Sequence, residues 1–223
     1  MVDIIVPTLN ESESILEFFK TLKKELKSTD FRVILIDDSA DNTSKIAKSF
    51  CKKNKIKIKA INRKKAKGKG SAINRGLKEL NSEEAVIIDA DMEYHPKYIL
   101  PMIKMLKKND LILSVRKRKD PVYRKFLGYF FKQLVKLLFG FNFDTQSGLK
   151  AFKAKSLKNL DLKSKNWVWD IEFINHFFKN NLKIGFYEIE YNTRKKGKSK
   201  IKISSSCGML KDLIKLKMLN FLK

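Results

Sequence analysis

The sequence predicts an α/β protein with a mostly parallel central sheet flanked by helices, and three observations lead there. Short branched apolar runs alternate with helical patterns through the first half of the chain. The runs Val33 to Ile36 and Ala85 to Ile88 end directly in carboxylates. Their continuous apolar character suits strands buried on both faces, the condition of a parallel sheet covered by helices.

Each element follows from local chemistry. Ile4 to Val6 is the first strand, broken by Pro7 and Asn10. Asn10 stands three positions before Glu13, a capping-box spacing for a helix running to about Leu26 with Ile15, Phe18, Phe19 and Leu22 on its apolar side. Val33 to Ile36 is the second strand, ending at Asp37 and Asp38, and Asp41 with Thr43 can cap the helix that follows through Phe50. Lys57 to Ile61 is a weaker strand, after which Gly68 and Gly70 open a helix through Leu80. Ala85 to Ile88 is a strong buried strand, and Pro96 suits the first turn of a helix carrying Ile99, Ile103 and Leu106. Leu111 to Val115 is the fifth strand, and Lys183 to Ile189 returns as another.

The 223-residue chain carries 49 Lys plus Arg against 24 Asp plus Glu, a net charge of +25. That excess implies anionic partners: nucleic acid, phosphorylated metabolites or an acidic membrane surface. The length fits one catalytic domain with a short appendage, divided as residues 1–203 and an amphipathic C-terminal segment at 204–223. Cys51 and Cys207 lack metal-ligand spacing and fit a reducing compartment. Met1 to Thr8 reads as a strand rather than a signal peptide, and no apolar stretch reaches bilayer-spanning length. Two basic amphipathic segments remain. In 125–139, Leu127, Phe130, Phe131, Leu134 and Leu138 stand apart from Lys125, Lys132 and Lys136, and Met209 to Leu222 is similar. Such helices either pack on the sheet or lie at an anionic membrane surface with their lysines reaching lipid phosphates.

In open parallel sheets ligands bind beyond the C-terminal strand ends, where Asp37, Asp38, Asp89 and Asp91 fall. Asp89-Ala90-Asp91 brings two carboxylates to one strand end, within reach of a hard divalent cation such as Mg²⁺ or Mn²⁺. Glu93 stands near as a further ligand, an acceptor for a group bound to the metal, or a turn residue. Asn10-Glu11 and Asp37-Asp38 approach the same edge and can accept from a base N–H or from ribose hydroxyls. Lys67-Gly68-Lys69-Gly70 is a basic glycine turn at a helix start, suited to phosphate through its N–H groups and lysines. It lacks the Walker pattern of ATPases.

A series of motifs then makes a family resemblance. They are Pro7 to Glu11, Asp37 to Asp41, Gly68-Lys-Gly70 with Asn74-Arg-Gly76, and Asp89-Ala-Asp-Met92 with Pro96. Asp144 to Gly148, Trp169 to Glu172 and Arg194 to Lys200 follow. In this order they resemble glycosyltransferase family 2, in the branch of dolichyl- and polyprenyl-phosphate sugar synthases.

The resemblance implies a GT-A nucleotide-sugar-binding fold. It implies that Pro7, Glu11 and Asp37 or Asp38 hold the nucleoside and that Asp89 and Asp91 manage the metal and diphosphate; Asn10, Lys67, Lys69 and Ala90 are expected to bind substrate beside them. Glu93 matches a position that is glutamine in some relatives, which leaves the metal preference open. Arg116, Arg124 and the segment from Arg194 to Lys200 would contact the acceptor phosphate or help close the donor site. Asp144 and Gln146 would lie near acceptor and sugar, Trp169 would offer a sugar-facing aromatic surface, and Asp170 and Glu172 would contact donor hydroxyls. Asp91, Arg116 and Asp144 are the expected catalytic residues, with Mg²⁺ or Mn²⁺ as cofactor.

The expected reaction moves a hexose, with inversion, from a nucleotide sugar of the GDP-mannose or UDP-glucose type to dolichyl or polyprenyl phosphate. The enzyme would sit peripherally on the cytoplasmic face of a membrane. The nearest alternative is a family member acting on a sugar or protein hydroxyl. A nucleic-acid binder is disfavoured, because carboxylates ordered along strand ends have no role in coating an anionic polymer, and no specific nucleic acid is expected.

Overall fold

A computed structural model gives the arrangement of these elements. It describes residues 1–63, 66–117, 122–141, 143, 145, 147–160, 162–166, 168–190 and 212–218, leaving aside the side chains of 117 and 122–127. Along the chain run β1 (Val2–Thr8), α1 (Ile15–Glu25), β2 (Phe31–Asp37), α2 (Thr43–Lys53), β3 (Lys57–Asn62), α3 (Lys69–Leu77) and β4 (Glu84–Ile88). Then come α4 (Ile99–Met105), β5 (Leu111–Lys117), α5 (Val122–Phe139), β6 (Leu149–Lys153), α6 (Trp169–Lys179) and β7 (Ile184–Glu190). Residues 212–218 are helical.

The strands form one seven-stranded sheet in the order β3-β2-β1-β4-β6-β5-β7. All run parallel except β6, which is antiparallel to both β4 and β5. Pleating sends Ile4, Val6, Val33, Leu35, Val86 and Ile88 to one face, against Phe18, Phe19 and Leu22 of α1 and Met102 of α4. Ile5, Ile34, Ile36, Ala85 and Ile87 turn to the other, against Ile73, Val135, Phe173 and Phe177. Leu213 and Leu216 of the C-terminal segment join this second core.

The six strands expected from the sequence are present, and β6 is added to them. Its alternation places Leu149 and Ala151 in one core, but Lys150 stands on the opposite face with Phe152 and has no exposed surface. The capping box at Asn10 is corrected. Asn10 adopts a left-handed backbone (φ 50°), and α1 begins at Ile15, whose N–H donates to the Glu11 carbonyl. The Asn10 side chain instead accepts from the Ala40 N–H at 2.9 Å, tying the β1 exit to the β2 exit. The N-cap position of α2 is Asn42, and Asp41, one residue before it, accepts from the Thr43 N–H at 2.9 Å.

Helix α5 packs on the sheet along one side and leaves large apolar side chains exposed on another. Phe131, Leu134, Val135, Leu138 and Phe139 pack on the second core, whereas Tyr129, Phe130 and Leu137 are exposed. Among the described residues no helix is long and apolar enough to cross a membrane.

At the N-terminal edge of the parallel strands, buried Asp3 of β1 faces Arg32 of β2 in register. Arg32 donates Nε to Oδ1 at 2.8 Å and Nη2 to Oδ2 at 2.9 Å, and Nη2 also reaches the Glu79 carbonyl. The N–H groups of Asn81 and Ser82 complete the shell, so the turn entering β4 is fastened to β1. Burial pushes the Asp3 carboxyl up, but the Arg32 contacts and the two N–H groups outweigh it and hold the group below the usual carboxylate range.

Candidate active site

The opposite edge gathers the strand-end carboxylates. Asp37 is buried and accepts from Thr8 Oγ1 at 2.7 Å and from the Ser39 hydroxyl. Asp38 receives both Nε and Nη2 of Arg63, whose Nη1 also donates to Ser71 Oγ at 2.9 Å. The β3 exit is thereby bound to the β2 exit and to the start of α3. Half-buried Pro7 lies in β1 opposite Ile36, and the Glu11 N–H donates to Thr43 Oγ1 at 2.9 Å. The Glu11 carboxylate accepts from Ser14 Oγ at the entry to α1.

At the end of β4, Lys69 Nζ meets Asp89 Oδ2 at 2.7 Å. Asp91 is buried, its Oδ1 accepting the Glu93 N–H at 3.1 Å across a turn in which Met92 is left-handed (φ 62°). Burial raises the Asp89 carboxyl, Lys69 opposes the rise, and the like charge of Asp91 adds to it. For Lys69 the burial effect is downward, but Asp89 and Asp170 overcome it and raise the ammonium. Gly148 makes this placement possible, since a Cβ there would lie 2.3 Å from Asp89 Oδ2 and 2.6 Å from the Tyr94 ring. Arg116, near the end of β5, extends its guanidinium over that ring, 5.7 Å from the centroid.

Behind Asp89 lies a second ion pair. Lys150 of β6 donates to Asp170 of α6 and to the Ser147 carbonyl, and its ammonium stands 4.8 Å from the Trp169 ring centroid. Burial lowers the Lys150 ammonium and raises the Asp170 carboxyl, each partner opposing the effect on the other.

Residues 3–161 match the family described as Glycosyl transferase family 2. The chain belongs to glycosyltransferase family 2. Against the dolichol-phosphate mannosyltransferase of Pyrococcus furiosus it is 33% identical over 134 residues, covering 56% of this chain and 38% of that one. Against the human dolichyl-phosphate beta-glucosyltransferase it is 28% identical, covering 95% of this chain and 73% of that one. In fold it is similar to glucosyl-3-phosphoglycerate synthase from Mycobacterium tuberculosis, solved with Mn²⁺, UDP and phosphoglyceric acid. The TM-score is 0.75 at 19% identity, over 97% of this chain and 76% of that one. The central sheet and its flanking helices form a GT-A fold.

The transferase brings Pro7, Asn10, Glu11, Asp37, Asp38, Lys69, Asp89, buried Ala90, Asp91 and Arg116 to the C-terminal edge of its parallel strands. Lys67 is exposed beside them, its N–H 3.4 Å from Asp38 Oδ2. Other expectations are corrected. Trp169 offers no sugar-facing surface: it is fully buried, packed edge-on against Phe173. Glu172 turns both oxygens to the N–H groups of Lys163 and Ser164, each at 2.8 Å, and so anchors the loop before α6. That loop also lies against the glycine turn, where a Cβ on Gly68 or Gly70 would come within 2.3 Å of the Lys165 or Ser164 carbonyl. The glycines thus admit a neighbouring backbone on this side, and Ser71 donates its N–H to the Lys165 carbonyl.

Among the described residues no group of three or more His, Cys, Asp or Glu side chains converges for a metal, so Glu93 does not complete a triad with Asp89 and Asp91. Asp144, Gln146, Arg194 and Lys200, and the side chain of Arg124, lie outside the described residues.

Arg63 and Lys150 were missed by sequence reasoning. A basic residue directly after a strand that ends beside Asp37 and Asp38 was a readable signal for Arg63. Lys150 had none, because its partner Asp170 is 20 positions away and becomes adjacent only in the fold.

Proposed function

We propose that the transferase moves a hexose from a nucleotide sugar to dolichyl or polyprenyl phosphate at a membrane surface. The observation that carries this reading is the Lys69–Asp89 pair beside Asp91 at the end of β4, a cationic and an anionic group arranged for a metal diphosphate. The donor set fits a hard divalent cation. Two carboxylates one residue apart supply oxygen ligands, and a cation offsets both the burial that raises Asp89 and the like charge of Asp91 that adds to it. Held by Asp89 and Asp91, Mg²⁺ or Mn²⁺ would supply Lewis-acid stabilisation of the leaving diphosphate.

The remaining steps belong to the chain's own residues. Asp37, Asp38 and Arg63 frame the nucleoside side of the edge. Arg116 grips the acceptor phosphate, for which a guanidinium offers paired N–H donors. A lipid monophosphate has a second pKa of about 6 and arrives ionised, so no side chain has to remove a proton. Its oxygen attacks the anomeric carbon as the bond from that carbon to the diphosphate oxygen breaks, with inversion. The nucleoside diphosphate departs.

The names of the relatives support a lipid phosphate acceptor, and α5 supports the surface at which it is met. Tyr129, Phe130 and Leu137 are exposed on the same helix as Lys132 and Lys136, a pattern suited to an anionic interface. Placement on the cytoplasmic face is part of the same proposal.

Purified protein with Mn²⁺ or Mg²⁺, a panel of nucleotide sugars and polyprenyl phosphate should yield a polyprenyl-phosphate sugar, identified by mass. Equal use of the corresponding polyprenol would overturn the phosphate-nucleophile role. In flotation with anionic liposomes, the Phe130→Ser/Leu137→Ser variant should bind about tenfold more weakly, since it removes apolar area at the insertion face. Unchanged flotation would remove α5 from the interface.

A further inference from the structure

Two ion pairs stand within electrostatic reach of one another near the end of β4, Lys69 with Asp89 and Lys150 with Asp170, and Asp91 adds its charge to the first. The fold holds the two lysines differently. Lys150 has no exposed surface and is fixed by Asp170, by the Ser147 carbonyl and by the face of Trp169. Lys69 opens α3 between two glycines, keeps 22% of its side chain exposed, and contacts Asp89 through Oδ2. A hard cation seeks the same kind of oxygen that this ammonium covers. Two cations at one carboxylate oxygen repel, with an energy that grows as water is excluded.

We propose that Lys69 is a built-in counter-ion for Asp89 and exchanges partners when the donor binds. It leaves the carboxylate as a divalent cation binds there, and its ammonium passes to the diphosphate that enters with the cation. This rests on the proposed metal-diphosphate role of Asp89 and Asp91. A cation arriving alone displaces Lys69 and gives it nothing in return. A cation arriving with a diphosphate supplies the ammonium with a new anion. Metal and diphosphate are therefore coupled through Lys69, and each tightens the other by the same factor. Lys69 acts as a positioning residue for the metal, separately from any contact it makes to the donor during transfer.

The test is Mn²⁺ binding to the intact chain, read from the paramagnetic resonance signal of the free ion, alone and with saturating UDP or GDP. One of the two nucleotides should tighten Mn²⁺ binding to the wild type by about tenfold or more. Lys69→Met should bind Mn²⁺ alone about tenfold more tightly than the wild type and show little further gain with nucleotide. Lys69→Arg, which keeps the charge, should bind Mn²⁺ alone as weakly as the wild type. Should Lys69→Met fail to fold, Lys69→Gln carries the same expectation. The exchange is overturned if nucleotide-dependent Mn²⁺ binding is present but neutralising Lys69 leaves binding of Mn²⁺ alone unchanged or weaker. Absence of Mn²⁺ binding under every condition would overturn the metal reading together with the exchange.

Discussion

The two ends of the sheet use the same device, a carboxylate against a basic side chain, with opposite results. At the N-terminal edge Asp3 is enclosed by two bonds from Arg32 and by two backbone N–H groups, and its proton affinity falls. At the C-terminal edge Asp89 meets the Lys69 ammonium beside the like charge of Asp91, and its proton affinity rises. Burial pushes the carboxyl up at both sites and is the largest single influence on each. What differs is how completely the charge is matched. A saturated pair fastens β1 to β2 and to the entry of β4, whereas an incompletely matched one retains electrostatic demand that a ligand can meet.

The largest expected effect breaks the saturated end. Arg32→Ala strands a fully buried carboxylate and should cost about 3–5 kcal/mol of stability, read as a lower urea midpoint. Sugar transfer by the protein that remains folded should be unchanged, because Arg32 lies at the far end of the strands. Next comes the other end. Asp91→Ala should lower metal-dependent kcat/KM by about 100-fold or more while costing only about 1 kcal/mol of stability, for the hydrogen bond lost to the Glu93 N–H. If Asp91→Ala unfolded the protein as Arg32→Ala is expected to, or left turnover intact, the division of labour between the two edges would fail.

The sequence made the functional edge legible because strand ends could be read from branched runs. Once Val33–Ile36 and Ala85–Ile88 were strands of one parallel sheet, Asp37, Asp38, Asp89 and Asp91 had to fall on one side. The N-terminal edge was not legible in this way. Asp3 sits inside an apolar run as a break in pattern, and only the parallel register of β1 with β2 reveals Arg32 opposite it. The same obstacle hid β6. Its Lys150 reads as a solvent-facing residue in a strand-like alternation until α6 delivers Asp170 to it. Trp169 illustrates the converse error: an indole beside a carboxylate suggests a sugar platform, but the α6 start packs against Gly70 and the indole lies on Phe173 one turn along the same helix, fully buried. Local spacing also misled at Asn10, where a left-handed backbone joins two strand exits instead of starting a helix.

The smallest effect sharpens the comparison through proton linkage. An unperturbed aspartate titrates near about 3.9, and the folded Asp3 lies below its ordinary value. As pH falls through that region the unfolded chain takes up a proton before the folded one. The stability that Asp3 contributes is therefore fully present above the unfolded pKa and is lost as pH falls through the folded value. Asp3→Asn cannot lose a charge in this window. It should be the less stable protein at neutral pH, and the gap to the wild type should narrow below about pH 4 by at most about 1.4 kcal/mol per pH unit. Urea midpoints of both proteins from pH 7 down to the acid limb measure this directly. Parallel profiles would mean that Asp3 is not held as an anion by its partners, and saturation would no longer separate the structural pair from the one at Asp89.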